Sequence, residues 1–400
     1  MSRNAIIIGG GIAGTAMALF LKRAGITSAI YEAYPKRDDI GGGLQLAPNG
    51  MNVLASLGLA DKVIEHGTIA TEMRFLNQKG KILGKINRGL TEKYAQPAVN
   101  ISRSALHKVL VEEVERKGIV IHYNKKLVNI TDGSGKQAAA EFADGSTAEG
   151  DIVIGADGIR SKTREIILPD APKPDFTGMQ WIAGFVPQTE VPLIDEEDHK
   201  LYMIFGMKGF FGYGNFSRKD AIIGWWYNIV KEQELTKEEL GEVANQEVRN
   251  ELLEICKGWN GPVEELIKKT PKLIRGNVHD IQSLPSWHNN RRAVLIGDAA
   301  HAVSPNSGQG ASLALEDASY LAKLLFEESD SLENIFELFV QERRPRVEKI
   351  IAEGRRTGDN KKEMTPVSAW IRDRMLSIIF PLFVDKGNRW KYEYKVDWKS

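Results

Sequence analysis

Much that would place a protein quickly is missing from this chain. Its 400 residues hold a single cysteine, Cys256, so no intrachain disulfide is possible and a reducing, cytoplasmic compartment is expected. Neither charge is in excess. The 53 Lys and Arg stand against 53 Asp and Glu, which argues against a general nucleic-acid-binding surface. Internal repeats and low-complexity tracts are absent, so solenoid and disordered architectures are set aside. A long uncharged stretch, Asn4 to Leu21, lies near the N-terminus between Arg3 and Lys22-Arg23. By hydropathy alone it would pass for a signal peptide or anchor, but four glycines interrupt it. It reads instead as a short buried strand, AIII, a glycine turn and a new helix from Ala13.

What is present begins with that turn. Residues 4–33 read as strand, turn, helix and strand, with Gly25 ending the helix, the opening half of a Rossmann unit. In Gly9-x-Gly11-x-x-Gly14 the first glycine allows the tight turn and the second lets backbone approach a pyrophosphate. The third lets helix and strand pack closely. Ile12 and Ala13 complete the turn, and the helix N-terminus attracts the phosphates. Glu32, at the end of the second strand, is placed to accept hydrogen bonds from ribose hydroxyls.

Two further buried strands end in an acid. DIVIGA runs into Asp157-Gly158, followed by Arg160, Ser161 and Arg164, which look like a helix start carrying cations. AVLIG runs into Gly297-Asp298, where an aspartate can hold the ribityl hydroxyls of a flavin. A loop of small residues then runs from Pro305 through Gly308, Gln309 and Gly310 into a helix from Ala311. Such a loop presents backbone N–H groups and a positive dipole end to a flat anionic ring. By contrast Asp144-Gly145, in FADGST, has polar flanks and hairpin spacing and reads as a turn only.

Residues 175–230 are rich in aromatic and β-forming residues and predict a mostly antiparallel sheet. Helices are predicted over 102–117 with Ser102 as cap, and over 236–257, 261–269, 311–326, 332–353 and 366–384. Asn49 is expected to cap a short helix through Leu57, closed by Gly58. The expected fold class is α/β: a Rossmann-type FAD-binding domain with an inserted, mostly antiparallel β-sheet substrate domain and a C-terminal helix. The FAD-binding domain is assigned to 1–70, 98–174 and 285–360, the substrate domain to 71–97 and 175–284, and 361–400 to a helix packing across both.

With these motifs together, the chain resembles the single-component FAD-dependent aromatic hydroxylases, the group of para-hydroxybenzoate hydroxylase, salicylate hydroxylase and the tetracycline-inactivating monooxygenases. The resemblance spans residues 4 to about 350. It rests on GGGIAG (9–14), Glu32, GGGLQLAPNG (41–50), Arg103 in SRSALHKVL, GADGIRS (155–161) and GDAAHAVSPNSGQGASLALEDA (297–318). It implies that Arg103 contacts the FAD pyrophosphate and ribityl region and that Arg37 lies near the flavin. Asp157 matches an Asp-Gly motif linked to FAD and pyridine nucleotide, Asp298 the ribityl-binding aspartate, and Pro305 to Ala311 the loop beneath the isoalloxazine.

The resemblance further implies a monooxygenase in which NAD(P)H, a transient co-substrate, reduces FAD, and O2 adds to it as a C4a-hydroperoxide. That species would hydroxylate an aromatic or polycyclic molecule of phenol or polyketide type. One G-x-G-x-x-G suits a family without a dedicated NADPH domain. No catalytic side chain is assigned; the Pro305 loop would lie near flavin C4a. The substrate is expected between that loop and the sheet bearing Phe205, Phe211, Tyr213 and Trp226, although alternation sends about half of such side chains to the other face. No metal, nucleic acid or membrane is expected. Pro381, Arg372, Asp373, Arg374 and Asp385 favour packing of the 366–384 helix over a lipid surface, in a monomer or homodimer. The alternative is an FAD-dependent reductase of geranylgeranyl-reductase type that does not activate O2; a non-enzymatic flavin binder is a third reading. A flavin halogenase is disfavoured, since Trp225-Trp226 does not fit W-x-W-x-I-P.

Overall fold

A computed structural model describes residues 3–36, 42–88, 91–132, 137–195, 199–241, 246–328, 330–359 and 364–398. Three short apolar strands, far apart in sequence, lie side by side in one parallel five-stranded sheet. Its order is Ala293–Leu295, Ile152–Gly155, Asn4–Ile8, Thr27–Tyr31 and Val120–His122. The register pairs Ile8 with Gly155 and Gly155 with Leu295. The carboxyl ends of the three strands are therefore level, and the turns bearing Gly9, Asp157 and Asp298 emerge along one edge. In open α/β sheets that edge is where ligands bind. The helices Ile12–Arg23 and Gly310–Glu327 share a core with this sheet, through Ala16, Met17, Phe20, Leu313, Ala318 and Leu321.

The second sheet has seven strands, ordered Leu273–Asp280, Asp175–Pro187, Ile222–Val230, Phe210–Ser217, Lys200–Phe205, Glu72–Asn77 and Ile82–Asn87. All neighbours are antiparallel except Lys200–Phe205 with Glu72–Asn77. Because side chains alternate along a strand, the sheet has two different faces. On one, Phe211, Tyr213, Trp225 and Tyr227 pack under the helices Gln246–Ile255 and Val263–Lys269, against Leu252, Trp259 and Leu266. On the other, Met73, Leu201, Phe216 and Trp226 form a separate cluster.

Several helices differ from expectation: the one expected over 332–353 runs Leu332–Asp359, and 236–257 holds Lys237–Gly241 and Gln246–Ile255. Ser102 caps Arg103–Arg116 as predicted, accepting from the Ala105 N–H at 3.1 Å. The earlier short helix, however, runs Pro48–Ser56 with Ala47 at its cap, so Asn49 sits inside the first turn. Proline is favoured there because the first-turn N–H has no helical partner to lose. The C-terminal helix, Pro366–Tyr392, is longer than predicted. Val367, Trp370, Ile371, Met375 and Ile378, the apolar stripe visible in the sequence, face outward. Its inner side is more polar. Arg372 Nη1 donates to the Gly206 carbonyl at 3.0 Å, and Asn77 Nδ2 donates to Asp373 Oδ2 at 2.9 Å. The side chains of Ile379, Pro381, Leu382, Phe383 and Asp385 lie outside those described. Near its end Tyr392 meets Ala47 and Tyr94, so one helix touches both sheets' surroundings. Among the described residues no helix is long and apolar enough to cross a membrane.

Candidate cofactor and substrate site

Between the two sheets lies one cavity of about 2380 Å³. Small-molecule pockets usually hold roughly 300–1,000 Å³. The space therefore suits a dinucleotide together with a second ligand.

Its nucleotide end is shaped by backbone. Gly9 has a φ of +102°, and a Cβ on it would fall 2.6 Å from the Ala156 carbonyl oxygen. A Cβ on Gly14 would fall 1.9 Å from the Gly9 carbonyl oxygen. Gly11 differs, since a Cβ there would meet nothing within 4 Å: it faces open cavity. The helix behind it has no side-chain cap and no acid in its first turn, which leaves its N–H groups to an anion. Glu32 accepts from the Gly10 N–H at 2.7 Å and the Tyr34 N–H at 3.0 Å, leaving carboxylate lone pairs at the lip of the turn. His107 Nε2 lies 2.7 Å from the Gly10 carbonyl oxygen and pins the turn from the next helix. Its position on an amphipathic helix carried no sign of this.

Further in, Asp298 and Arg103 face the cavity. No described residue hydrogen-bonds either side chain. Burial pushes the Asp298 carboxyl above its ordinary range, against the pull of Arg103 and His301. An acid left this way beside a cavity is an acceptor waiting for hydroxyl donors. Gly297, with φ of +57°, brings it there; a Cβ on Gly297 would press on Ala13 and Ala314 at 3.2 Å. The Pro305–Ser307 turn and Gly308, at φ +60°, lead through Gln309 into the Gly310–Glu327 helix. That helix also lacks a side-chain cap and a first-turn acid, and Pro305, Gly308, Gln309, Gly310 and Ala311 all line the cavity. The open space at Gly11, two uncapped helix N-termini and the unbonded Asp298 together fit an FAD.

Asp157 is engaged within the chain itself. Both Asp157 oxygens are engaged locally: Oδ1 accepts from Ser161 Oγ at 2.5 Å, and Oδ2 from the Thr163 N–H at 2.9 Å and Thr163 Oγ1 at 3.0 Å. The carboxylate thus holds the start of the Lys162–Ile167 helix, although Asp157 and Gly158 still line the cavity. Arg37 lies outside the described residues.

At the other end the walls are side chains. Phe205 and Trp226 line the cavity as expected. Phe211 and Tyr213 do not. They pair across the strands with Tyr227 and Trp225, on the helix-covered face. The alternation was legible in the sequence, but its phase was not, since aromatics occupy both faces. Met73, Phe75, Phe210, Arg88 and Tyr392 line the cavity instead, several from segments outside the aromatic stretch.

A buried ion network lies behind the Pro305–Gly310 loop, and sequence reading missed it. Arg343 binds Glu316 and Asp317, each at 2.8 Å, with all three side chains fully buried. Asp317 Oδ2 also meets His301 Nε2 at 2.5 Å and the Gly297 N–H at 2.9 Å. Burial would raise the Asp317 carboxyl, but His301 and Arg343 outweigh it and hold it at about 2. Glu316 further accepts from Arg346 at 2.8 Å and from Asn49 Nδ2 at 2.7 Å; the latter also reaches Gln309 Oε1 at 2.9 Å. The alternation of acids and apolar residues in LALEDA was the only signal available.

Compared with known proteins, residues 3–353 match a family model described as "FAD binding domain". Aurachin C monooxygenase/isomerase of Stigmatella aurantiaca is 30% identical over 390 residues, 96% of each chain. The 6-hydroxynicotinate 3-monooxygenase of Pseudomonas fluorescens is 30% identical, covering 86% of this chain and 88% of that protein. In fold, the chain is similar to Klebsiella pneumoniae HpxO, solved with FAD and uric acid: TM-score 0.84, 24% identity, 98% and 96% of the two chains.

Proposed function

The chain belongs to the single-component FAD-dependent aromatic hydroxylases, and from that membership we propose that its substrate is an aromatic or polycyclic small molecule, held on the aromatic side of the cavity. The protein is an FAD-dependent monooxygenase that uses NAD(P)H and O2; the two relatives above are monooxygenases, not reductases. Bound FAD supplies the oxygen-transfer chemistry. The residues of this chain bind, orient and dry the reactants.

The single observation that carries this reading is that one cavity has a glycine-and-acid end, an aromatic end and an uncapped helix N-terminus between them. In it, Gly9, Gly11, Ile12, Ala13 and Gly14 cradle the pyrophosphate, Glu32 the ribose, and Arg103 and Asp298 the ribityl chain. Pro305 to Ala311 present N–H groups to the flavin ring, whose reduced form is anionic. Phe205 and Trp226 wall the substrate and exclude water. The FAD-binding segments are 1–70, 98–174 and 285–360, with 71–97 and 175–284 forming the substrate side. A cytoplasmic location suits the single buried cysteine. Light scattering would separate monomer from homodimer. The decisive experiment loads purified protein with FAD and follows NAD(P)H oxidation and O2 uptake over a panel of phenols and polyketides. Stimulation with hydroxylated product is expected; no stimulation by any of them would reject the reading.

A further inference from the structure

Strand register decides which side chains of the seven-stranded sheet face the cavity. Trp181 lies opposite Asn228, and Asn228 opposite Phe210; Trp226 and Gly224 follow on the same face at every second residue. Rings on this face lie over glycines. A Cβ on Gly276 would fall 2.6 Å from the Trp181 ring, one on Gly224 2.7 Å from the Phe216 ring, and one on Gly212 would run into the Trp226 ring. The result is a flat aromatic floor. Set into it is Asn228, 6% exposed and lining the cavity. No described residue hydrogen-bonds its carboxamide, yet neither Oδ1 nor Nδ2 is sealed off, so both open into the cavity. The register puts one other carboxamide on this face, Asn77, and that one is spent. Its Nδ2 donates to Asp373 Oδ2 at 2.9 Å, and its Oδ1 accepts from the Lys79 and Lys81 N–H groups, each at 3.0 Å.

Asparagine is disfavoured inside strands, and a carboxamide held among aromatic rings without a partner is costly. Breaks of this kind with local preference concentrate at functional sites. The indole N–H groups of Trp181 and Trp226 can only donate. Asn228 offers a donor and an acceptor side by side, whichever way the amide is turned. A strand side chain stands off the sheet, so the amide meets the edge of a planar ring lying on the floor. Its complement at that edge is the same pair in reverse order: a ring N–H next to a ring C=O. We propose that Asn228 is a specificity-determining residue that recognises a lactam-type ring, as part of an aromatic or polycyclic substrate. This rests on the reading that the aromatic half of the cavity holds substrate, and it narrows that class by one functional group. A lone carbonyl or ether would use one side of the amide and leave the other unpaired.

The test uses the FAD-loaded enzyme and three probes built on one bicycle. They are 2-quinolone, with N–H and C=O both free, 1-methyl-2-quinolone, with the donor blocked, and 2-methoxyquinoline, with the amide erased. Binding is read by the change in flavin fluorescence, with Tm and retained FAD followed alongside. In the native protein 2-quinolone should bind about 10-fold or more tightly than either methylated probe. Asn228→Leu should bring the three within about 2-fold while Tm and FAD content hold, since the amide supports nothing in the chain. A merely structural Asn228 would show the reverse, a lower Tm with the preference kept. Equal native binding of the three, binding of none, or a preference that survives Asn228→Leu overturns the inference. Should the leucine prove too bulky to fold, Asn228→Ala decides on the same preference. Phenols that drive O2 uptake without any preference for 2-quinolone would leave the functional reading standing and remove only the role of Asn228. If no aromatic drives uptake, both fall.

Discussion

The two ends of the cavity are built on different principles. At the nucleotide end, position is set by backbone: Gly9 and Gly14 have no room for a Cβ, and Gly11 has nothing in front of it. At the aromatic end, position is set by which side of a pleated sheet each side chain takes. Phe210 and Phe211 are adjacent in sequence, yet one lines the cavity and the other lies in a separate core. A backbone-built site tolerates almost no change at its glycines. A side-chain-built site can change its walls one at a time, which suits a fold that serves many substrates.

The sharpest way to break this comparison is Gly14→Ala. The new methyl would sit 1.9 Å from the Gly9 carbonyl oxygen, so the turn must open. The variant is expected to purify colourless and to gain no flavin absorbance on adding FAD. A yellow variant would show that the turn is not backbone-limited.

Next in size is Arg343→Met, which removes the cation shared by Glu316 and Asp317 and leaves them only Arg346 and His301. The expected loss is about 3–5 kcal/mol in denaturant unfolding. The same network predicts a pH dependence. The folded Asp317 carboxyl, at about 2, lies below its ordinary value of 3.8. Its contribution is therefore complete above the ordinary value and is lost as pH falls through about 2. The Tm should fall across that window, and Asp317→Asn should flatten the fall.

The third test sets the faces of the sheet against each other. Phe211→Ala should cost about 3–5 kcal/mol of stability, as a fully buried ring, and leave the product-to-peroxide ratio unchanged. Trp226→Ala should do the reverse, sending more NAD(P)H to hydrogen peroxide. Equal uncoupling by both would mean that the two faces do not separate wall from core. The smallest effect is expected from Asp298→Ala, which removes one acceptor from the proposed ribityl contacts. FAD affinity should weaken by about 1–3 kcal/mol with the fold intact. Unchanged affinity by titration would reject that role.

This ranking mirrors what was legible beforehand. Gly9, Gly11, Gly14, Glu32 and Asp298 could be read because a turn after a buried strand leaves a local signature, and local signatures survive without coordinates. The sheet between residues 175 and 230 was legible as a sheet for the same reason. The phase of its strands was not, because Phe210 and Phe211 are equally apolar and only the partner strands decide which points inward. The direction of the Asp157 carboxylate depended on Ser161 and Thr163 turning back toward it. Arg88 was invisible because its partner Tyr392 lies 304 residues away, and the Glu316–Arg343 pair because its members sit on two different helices whose packing decides the contact. The orientation of the C-terminal helix was not legible, since helical spacing marks an apolar stripe without showing that Arg372 and Asp373 are the residues turned inward.

The level alignment of Ile8, Gly155 and Leu295 has a kinetic side. Three segments, each more than a hundred residues from the next, must meet before the flavin cleft exists. Every such meeting closes a long loop whose entropy is spent before any contact repays it. The cleft should therefore be among the slowest parts of the molecule to form, behind the local hairpins of the other sheet. During that interval the cofactor has nothing to bind. Once the strands have met, FAD favours the native state by mass action, so its supply governs how much of the newly folded protein stays folded.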